Sequence, residues 1–160
     1  MTSTSTKVKQ LLIVAHTPSP NTVKMSQRLH EGALTPDANN VHTTLVAPLS
    51  ATPSQVLNAD AIILYTPENL GYMSGAMKDF FDRIYYPCLE KKQGLPYALC
   101  VRAGHDGTGT CRAVTTITTG LRWQLAQPHL VCKGPFQDEF LSQCHELGTY
   151  MAIALDSGIL

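Results

Sequence analysis

Apolar runs that read as strands alternate along this chain with segments whose apolar residues recur every three or four positions. That alternation is the pattern of βαβ units built on a parallel sheet. Strands are expected at 10–15, 41–46, 61–65, 97–102 and 129–132. Helices are expected at 22–34, 74–86, 110–124 and 136–155, with a short one inside 53–58. The first and third strands are nearly continuous in apolar residues, as strands covered on both faces are. The second and fifth are shorter or more polar and belong at the edges.

The clearest stretch is 59–86. A buried strand ends in the turn 66–72, and a helix follows with Met73, Ala76, Met77, Phe80, Phe81 and Ile84 on one stripe. Lys78 with Asp82, and Asp79 with Arg83, are spaced as i,i+4 pairs on the other face. Pro87 is expected to close the helix, because proline disfavours helical geometry in the residue before it. In the last helix, Gly148 is expected to cost about 1 kcal/mol relative to alanine, and Asp156-Ser157-Gly158 reads as its stop.

Five parallel strands fit the flavodoxin-like order 2-1-3-4-5, whereas the dinucleotide-binding order normally needs a sixth. The expectation is therefore a three-layer α/β sandwich in which the loops after strands one, three and four converge. A length of 160 residues fits one domain, taken as 9–160, with residues 1–8 as a polar tail. Twelve basic and twelve acidic side chains cancel, which argues against nucleic acid or a membrane surface as partner. No apolar run approaches the roughly 18 residues of a membrane span. Five cysteines without a C-x-x-C pair suggest neither a disulfide framework nor a zinc site, and are expected to be separate reduced thiols in a cytoplasmic protein. No metal site is expected: Cys144 and His145 are adjacent and point about 100° apart on a helix, and His30, Cys88 and Cys132 look isolated.

Three loops carry the candidate chemistry. The first, His16 to Thr22, places Thr17, Ser19, Asn21 and Thr22 at a helix N-terminus, where hydroxyls, an amide and free backbone N–H groups suit a phosphate monoester. Asn21 or Thr22 could instead be only an N-cap. The loop has no glycine, so it carries neither G-x-G-x-x-G nor G-x-x-x-x-G-K-[ST]. A phospho-accepting receiver would need acidic residues where Ala15-His16 and Tyr65-Thr66 stand. In the second loop Pro67, Asn69, Gly71 and Tyr72 offer a rigid backbone, an amide and an aromatic face, a surface for a flat polar heterocycle. The third, 102–110, has Gly104, Gly107 and Gly109, which let a backbone approach a ligand edge or simply make a flexible connection.

The run Thr-Pro-Glu-Asn-Leu-Gly-Tyr-Met-Ser-Gly-Ala-Met-Lys-Asp-Phe-Phe-Asp-Arg at 66–83 resembles a segment of the flavodoxin-like NAD(P)H-dependent FMN and quinone reductases, in particular the tryptophan-repressor-binding-protein group. That segment reads proline, variable turn, small residues, lysine, then an aromatic and Asp-Arg. The resemblance implies FMN as cofactor and NADH or NADPH as co-substrate, stacked on the flavin without a motif of its own. It implies that Thr17, Ser19, Asn21 and Thr22 bind the flavin phosphate. Pro67, Glu68, Asn69, Leu70, Gly71 and Tyr72 would line the ring, with Gly104, His105, Asp106 and Gly107 opposite. Pro18 and Pro20 depart from the pattern by removing backbone donors, and Glu68 puts a carboxylate where an anionic reduced flavin would be disfavoured.

Such a protein passes electrons to a small acceptor such as a quinone or free flavin, with no nucleophilic side chain required. His105 is the one candidate catalytic group, as a hydrogen-bond or proton donor to the acceptor, although an exposed loop histidine is the reading the residues favour. Family members often complete the pocket as homodimers or homotetramers. Two other readings stay open: a one-electron carrier that docks on partner proteins, and a binding module that has lost its flavin.

Overall fold

The computed structural model describes residues 7–160; of the expected polar tail, positions 1–6 lie outside them, and 7 and 8 form an exposed lead-in to the first strand. Strands β1 (Lys9–Ala15), β2 (Val41–Val46), β3 (Ala61–Asn69) and β5 (Pro96–Ala103) run parallel in the order β2-β1-β3-β5. Beyond β5 the edge position is shared by two pieces, β6 (Gln124–Leu125) and β7 (Leu130–Lys133), both parallel to it. This is the expected order with its fifth strand split. Ala126 still donates to the Tyr97 carbonyl, but Pro128 follows, and proline interrupts a ladder because it has no N–H to give.

Both faces of the sheet are covered. Leu11, Ile13, Ala15, Ala61, Ile63, Tyr65, Ala98 and Cys100 face α1 (Pro20–Ala33) and α5 (Asp138–Ser157). Leu12, Val14, Ile62, Leu64, Leu99 and Val101 face α2 (Pro53–Leu57), α3 (Gly75–Cys88) and α4 (Thr108–Gly120). The period-two split of each strand between two cores is why the central strands look apolar throughout.

Several boundaries differ from the expected ones for local reasons. Helix α1 starts at Pro20, two residues early, because Ser19 caps it and proline's fixed φ and missing N–H suit the first helical position. Helix α3 runs past Pro87 to Cys88, which is fully buried and continues the apolar stripe, before Leu89 closes on the Tyr86 carbonyl. Helix α4 begins at Thr108 after the left-handed Gly107 and stops at Gly120, so Gln124 belongs to β6. Helix α5 is shifted by two residues and ends as expected on Gly158, whose φ is 83°. Both expected i,i+4 pairs on α3 are formed, Lys78–Asp82 and Arg83–Asp79, each at 2.6 Å.

Gly148 serves a purpose beyond its local cost. A Cβ there would collide with the Leu29 carbonyl oxygen of α1, and a Cβ on Gly32 would collide with the His145 carbonyl oxygen of α5. The two helices therefore cross backbone to backbone at a reciprocal pair of glycines, and the missing side chains set how closely the layer lies on the sheet.

Candidate functional site

The loops after β1, β3 and β5 emerge side by side at the carboxyl end of the sheet, because these strands are neighbours in register: Ala15 beside Tyr65, and Pro67 beside Arg102. Open parallel sheets bind ligands at this end, at the switch in strand order. The residues selected from the three loops are thus brought to one edge.

In the first loop, His16 donates its backbone N–H to the Tyr65 carbonyl and so fastens the loop to β3. Ser19 and Thr22 form a reciprocal capping box: Ser19 N–H donates to Thr22 Oγ1 at 3.0 Å, Thr22 N–H donates to Ser19 Oγ at 3.3 Å, and the hydroxyls lie 2.9 Å apart. Thr22 is buried, while Thr17 is half-buried and Asn21 exposed. Among the described residues, the side chains of Thr17 and Asn21 have no protein hydrogen-bond partner, and the Asn21 N–H is one of the first-turn donors that a helix leaves unused. Two of the four selected residues therefore shape the helix end and two are open to a ligand. Pro18 and Pro20 are both exposed.

The second loop is not a loop. Strand β3 continues through Thr66, Pro67, Glu68 and Asn69 and folds back as the antiparallel stub β4 (Tyr72–Met73), with Glu68 beside Met73 and Asn69 beside Tyr72. The turn is Leu70-Gly71, with φ of 54° and 74°. Positive φ at both central residues is the two-residue hairpin turn whose twist matches that of its strands. Sequence reasoning missed the hairpin because its favoured signal is Asn-Gly, and a leucine in the left-handed region is costly by about 1–2 kcal/mol. Leu70 is nonetheless 106% exposed and touches nothing that would repay this. Buried Thr66 anchors the hairpin base: its hydroxyl accepts from Ser74 N–H at 3.0 Å and donates to the Pro67 carbonyl at 2.9 Å. Ser74 in turn caps α3, accepting from Met77 N–H at 3.1 Å.

Hairpin and third loop are clamped together by Glu68. Its Oε1 accepts from His105 N–H and its Oε2 from Gly107 N–H, both at 2.9 Å. The negative charge that looked out of place beside a flavin is spent on two backbone donors. Gly109, on the first turn of α4, approaches Gly71 so closely that a Cβ would collide with the Gly71 carbonyl oxygen. Gly104, His105 and Asp106 are exposed and Gly107 is buried. Asp106 accepts from Thr108 N–H at 3.0 Å, and that bond first of all holds its carboxyl below the usual range. His16 carries a buried Nδ1 without a partner, and burial lowers its pKa.

These features fit a flavin mononucleotide: an open helix N-terminus for a phosphate, a hairpin presenting Leu70 and Tyr72, and a glycine-containing strip of backbone held in place beside it. His16, Thr66 and Gly109 escaped sequence reasoning. Only Gly109 gave a signal, as the third glycine of its loop.

The arrangement has counterparts among known proteins. The family model described as NADPH-dependent FMN reductase matches residues 20–129, which takes in the second and third loops and starts inside the first. A flavodoxin from Aquifex aeolicus is 26% identical over 159 residues, covering 89% of this chain and 85% of that protein. A flavodoxin from the domain Archaea superposes with a TM-score of 0.76 at 19% identity, over 91% of this chain and 98% of that one. A WrbA-like flavodoxin from Agrobacterium tumefaciens gives 0.70 at 16% identity, over 94% and 99%. The fold is that of the flavodoxins.

Proposed function

This chain belongs to the NADPH-dependent FMN reductase family, and from that premise we propose that a single domain spanning residues 9–160 holds one FMN at the carboxyl edge of β1, β3 and β5 and reduces small acceptors, such as quinones or free flavin, with NADPH or NADH. The observation that carries the proposal is the Glu68 clamp, which holds two of three adjacent loops as one wall beside an open helix N-terminus.

In this reading Thr17, Asn21 and the first-turn N–H groups of α1 take the phosphate, with Ser19 and Thr22 shaping the helix end that presents them. Asn69, Leu70, Gly71 and Tyr72 line one side of the ring above Pro67, which the structure buries, and Glu68 holds the hairpin to the third loop. Gly104, His105 and Asp106 line the other, with buried Gly107 behind them. The strained and fully exposed Leu70 is the residue whose geometry calls for a ligand, since strain at a loop tip is retained where it serves a site. FMN supplies the hydride and one-electron chemistry when bound; the chain's residues bind it, orient it and limit access of water. Exposed His105 would donate a hydrogen bond to an acceptor. Among the described residues no helix is long and apolar enough to cross a membrane, and we assign the protein to the cytoplasm. Pairing as a homodimer or homotetramer through α3 and α4 would enclose the acceptor side.

The Aquifex flavodoxin relative supports a second reading, a one-electron carrier that docks on partner proteins. The balanced charge of this chain weighs against it, because carriers are steered to their partners by a field of one sign. Anaerobic addition of NADPH to the FMN-loaded protein separates the two. Bleaching at turnover rates without a partner protein supports the reductase, and flavin that stays oxidised until a protein donor is added supports the carrier.

A further inference from the structure

Three cysteines far apart in sequence meet in the core on the α1–α5 side of the sheet: Cys100 on β5, Cys132 on β7 and Cys144 on α5. Their Sγ atoms all lie within 4.8 Å of one another, with Cys100 and Cys144 at 3.9 Å, and each residue is 0% exposed. This corrects the expectation that the thiols are separate and Cys132 isolated. Three sulfurs placed about 2.3 Å from a common ion, a usual metal–thiolate distance, stand about 4.0 Å apart in a trigonal plane. One pair, Cys100 and Cys144, already has that spacing, and the third sulfur lies within 4.8 Å of both.

We propose that Cys100, Cys132 and Cys144 form a three-coordinate thiolate site for one soft monovalent metal ion, of which cuprous copper is the fitting chemical class. Thiolates select soft ions, and no His, Asp or Glu among the described residues joins the three sulfurs. Zinc would want a fourth ligand, and magnesium or calcium would want oxygens. Binding is an exchange in which metal–sulfur bonds form and the remaining S–H protons leave to solvent, so no oxidant or reductant is consumed.

The surroundings provide charge and access. The Arg102 guanidinium lies beside the cluster, donating to the Cys132 carbonyl at 3.0 Å and stacking on Phe140 at 5.1 Å. A permanent cation thus lies next to the Cys132 backbone. Where the edge strand is interrupted, a recess of about 400 Å³ opens between Gln127, Pro128, His129 and Leu130 on one side and Gln143 and Tyr150 of α5 on the other. Gln143 connects this recess to the cluster, its Oε1 lying 3.7 Å from Cys132 Sγ. His129, on the recess wall, has a buried Nε2 without a partner. An ion entering by the recess would have to displace Gln143 to reach the buried sulfurs.

The test is an anaerobic titration of the reduced, full-length protein with cuprous copper against a chromophoric chelator, with X-ray absorption on the loaded protein. One ion per chain in a shell of three sulfurs is expected. Affinity should fall at least a hundredfold in Cys132→Ser and Cys144→Ser, and stay unchanged in Cys88→Ser and Cys111→Ser, which remove the two cysteines outside the cluster. A shell containing nitrogen or oxygen would overturn the assignment, as would affinity that survives Cys132→Ser or depends on Cys111. The absorption measurement uses the unaltered chain and decides the matter even if a variant fails to fold. It also requires no flavin, so its outcome is independent of FMN binding.

Discussion

Replacing Glu68 with glutamine removes a single charge and half of a clamp. The carboxylate accepts two backbone N–H groups, from His105 and Gly107, at 2.9 Å each. An amide offers one acceptor oxygen, and its NH₂ faces the second N–H donor to donor. A hydrogen bond to a charged group contributes about 1.5–3 kcal/mol. Glu68 is only half-buried and His105 is exposed, so water recovers part of that, leaving a loss of about 1–1.5 kcal/mol. If this loss falls on the order of the third loop, FMN affinity weakens by roughly fivefold to tenfold. Quenching of FMN fluorescence on binding gives the affinity, and urea denaturation of the apoprotein gives stability separately. An apoprotein destabilised by about 1 kcal/mol whose FMN affinity stays within about twofold of wild type would refute the reasoning. The clamp would then hold the fold together without shaping a flavin site.

Leu70→Asn creates the turn sequence that the hairpin geometry favours and relieves left-handed strain, so urea denaturation should show a gain of about 1 kcal/mol. FMN affinity or turnover should fall in the same variant; a gain in both would mean the strain at Leu70 serves no ligand. Gly148→Ala puts a methyl group into the Leu29 carbonyl across the α1–α5 crossing, and despite better helix propensity should destabilise the protein by about 1–2 kcal/mol. A thermal midpoint equal to or above wild type would show that the helices separate freely. His16 has its pKa lowered by burial, so the unfolded chain takes up a proton first, near pH 6.5. Stability should therefore fall as pH drops below about 6.5 and level off once the folded-state group also protonates. His16→Asn should flatten part of that slope in denaturation curves taken across the range.

The sheet order was legible because its evidence is periodic: β1, β3 and β5 each divide their residues between two buried faces and read as apolar runs. That the three loops meet at one edge was legible too, since the carboxyl ends of three neighbouring strands follow from the order alone. Its details depend on pairings that have no local signature. Nothing near Glu68 in sequence announces that it will bind backbone at His105 and Gly107, 37 and 39 residues later. The hairpin was hidden by Leu70, which occupies a conformation its side chain disfavours. Gly148 looked like a defect because its partner, Gly32, lies on a different helix. The cysteine cluster was hidden in the same way. Cys100, Cys132 and Cys144 come together only once β7 has paired with β5 and α5 has packed over both.

The most direct test of the central claim is a visible absorption spectrum of the full-length protein, loaded with FMN, freed of excess by gel filtration, and then given NADPH under anaerobic conditions. The account predicts about one flavin per chain that survives filtration and bleaches on NADPH addition. A filtered protein without flavin absorbance would contradict it, leaving a flavodoxin fold whose three loops serve some other ligand.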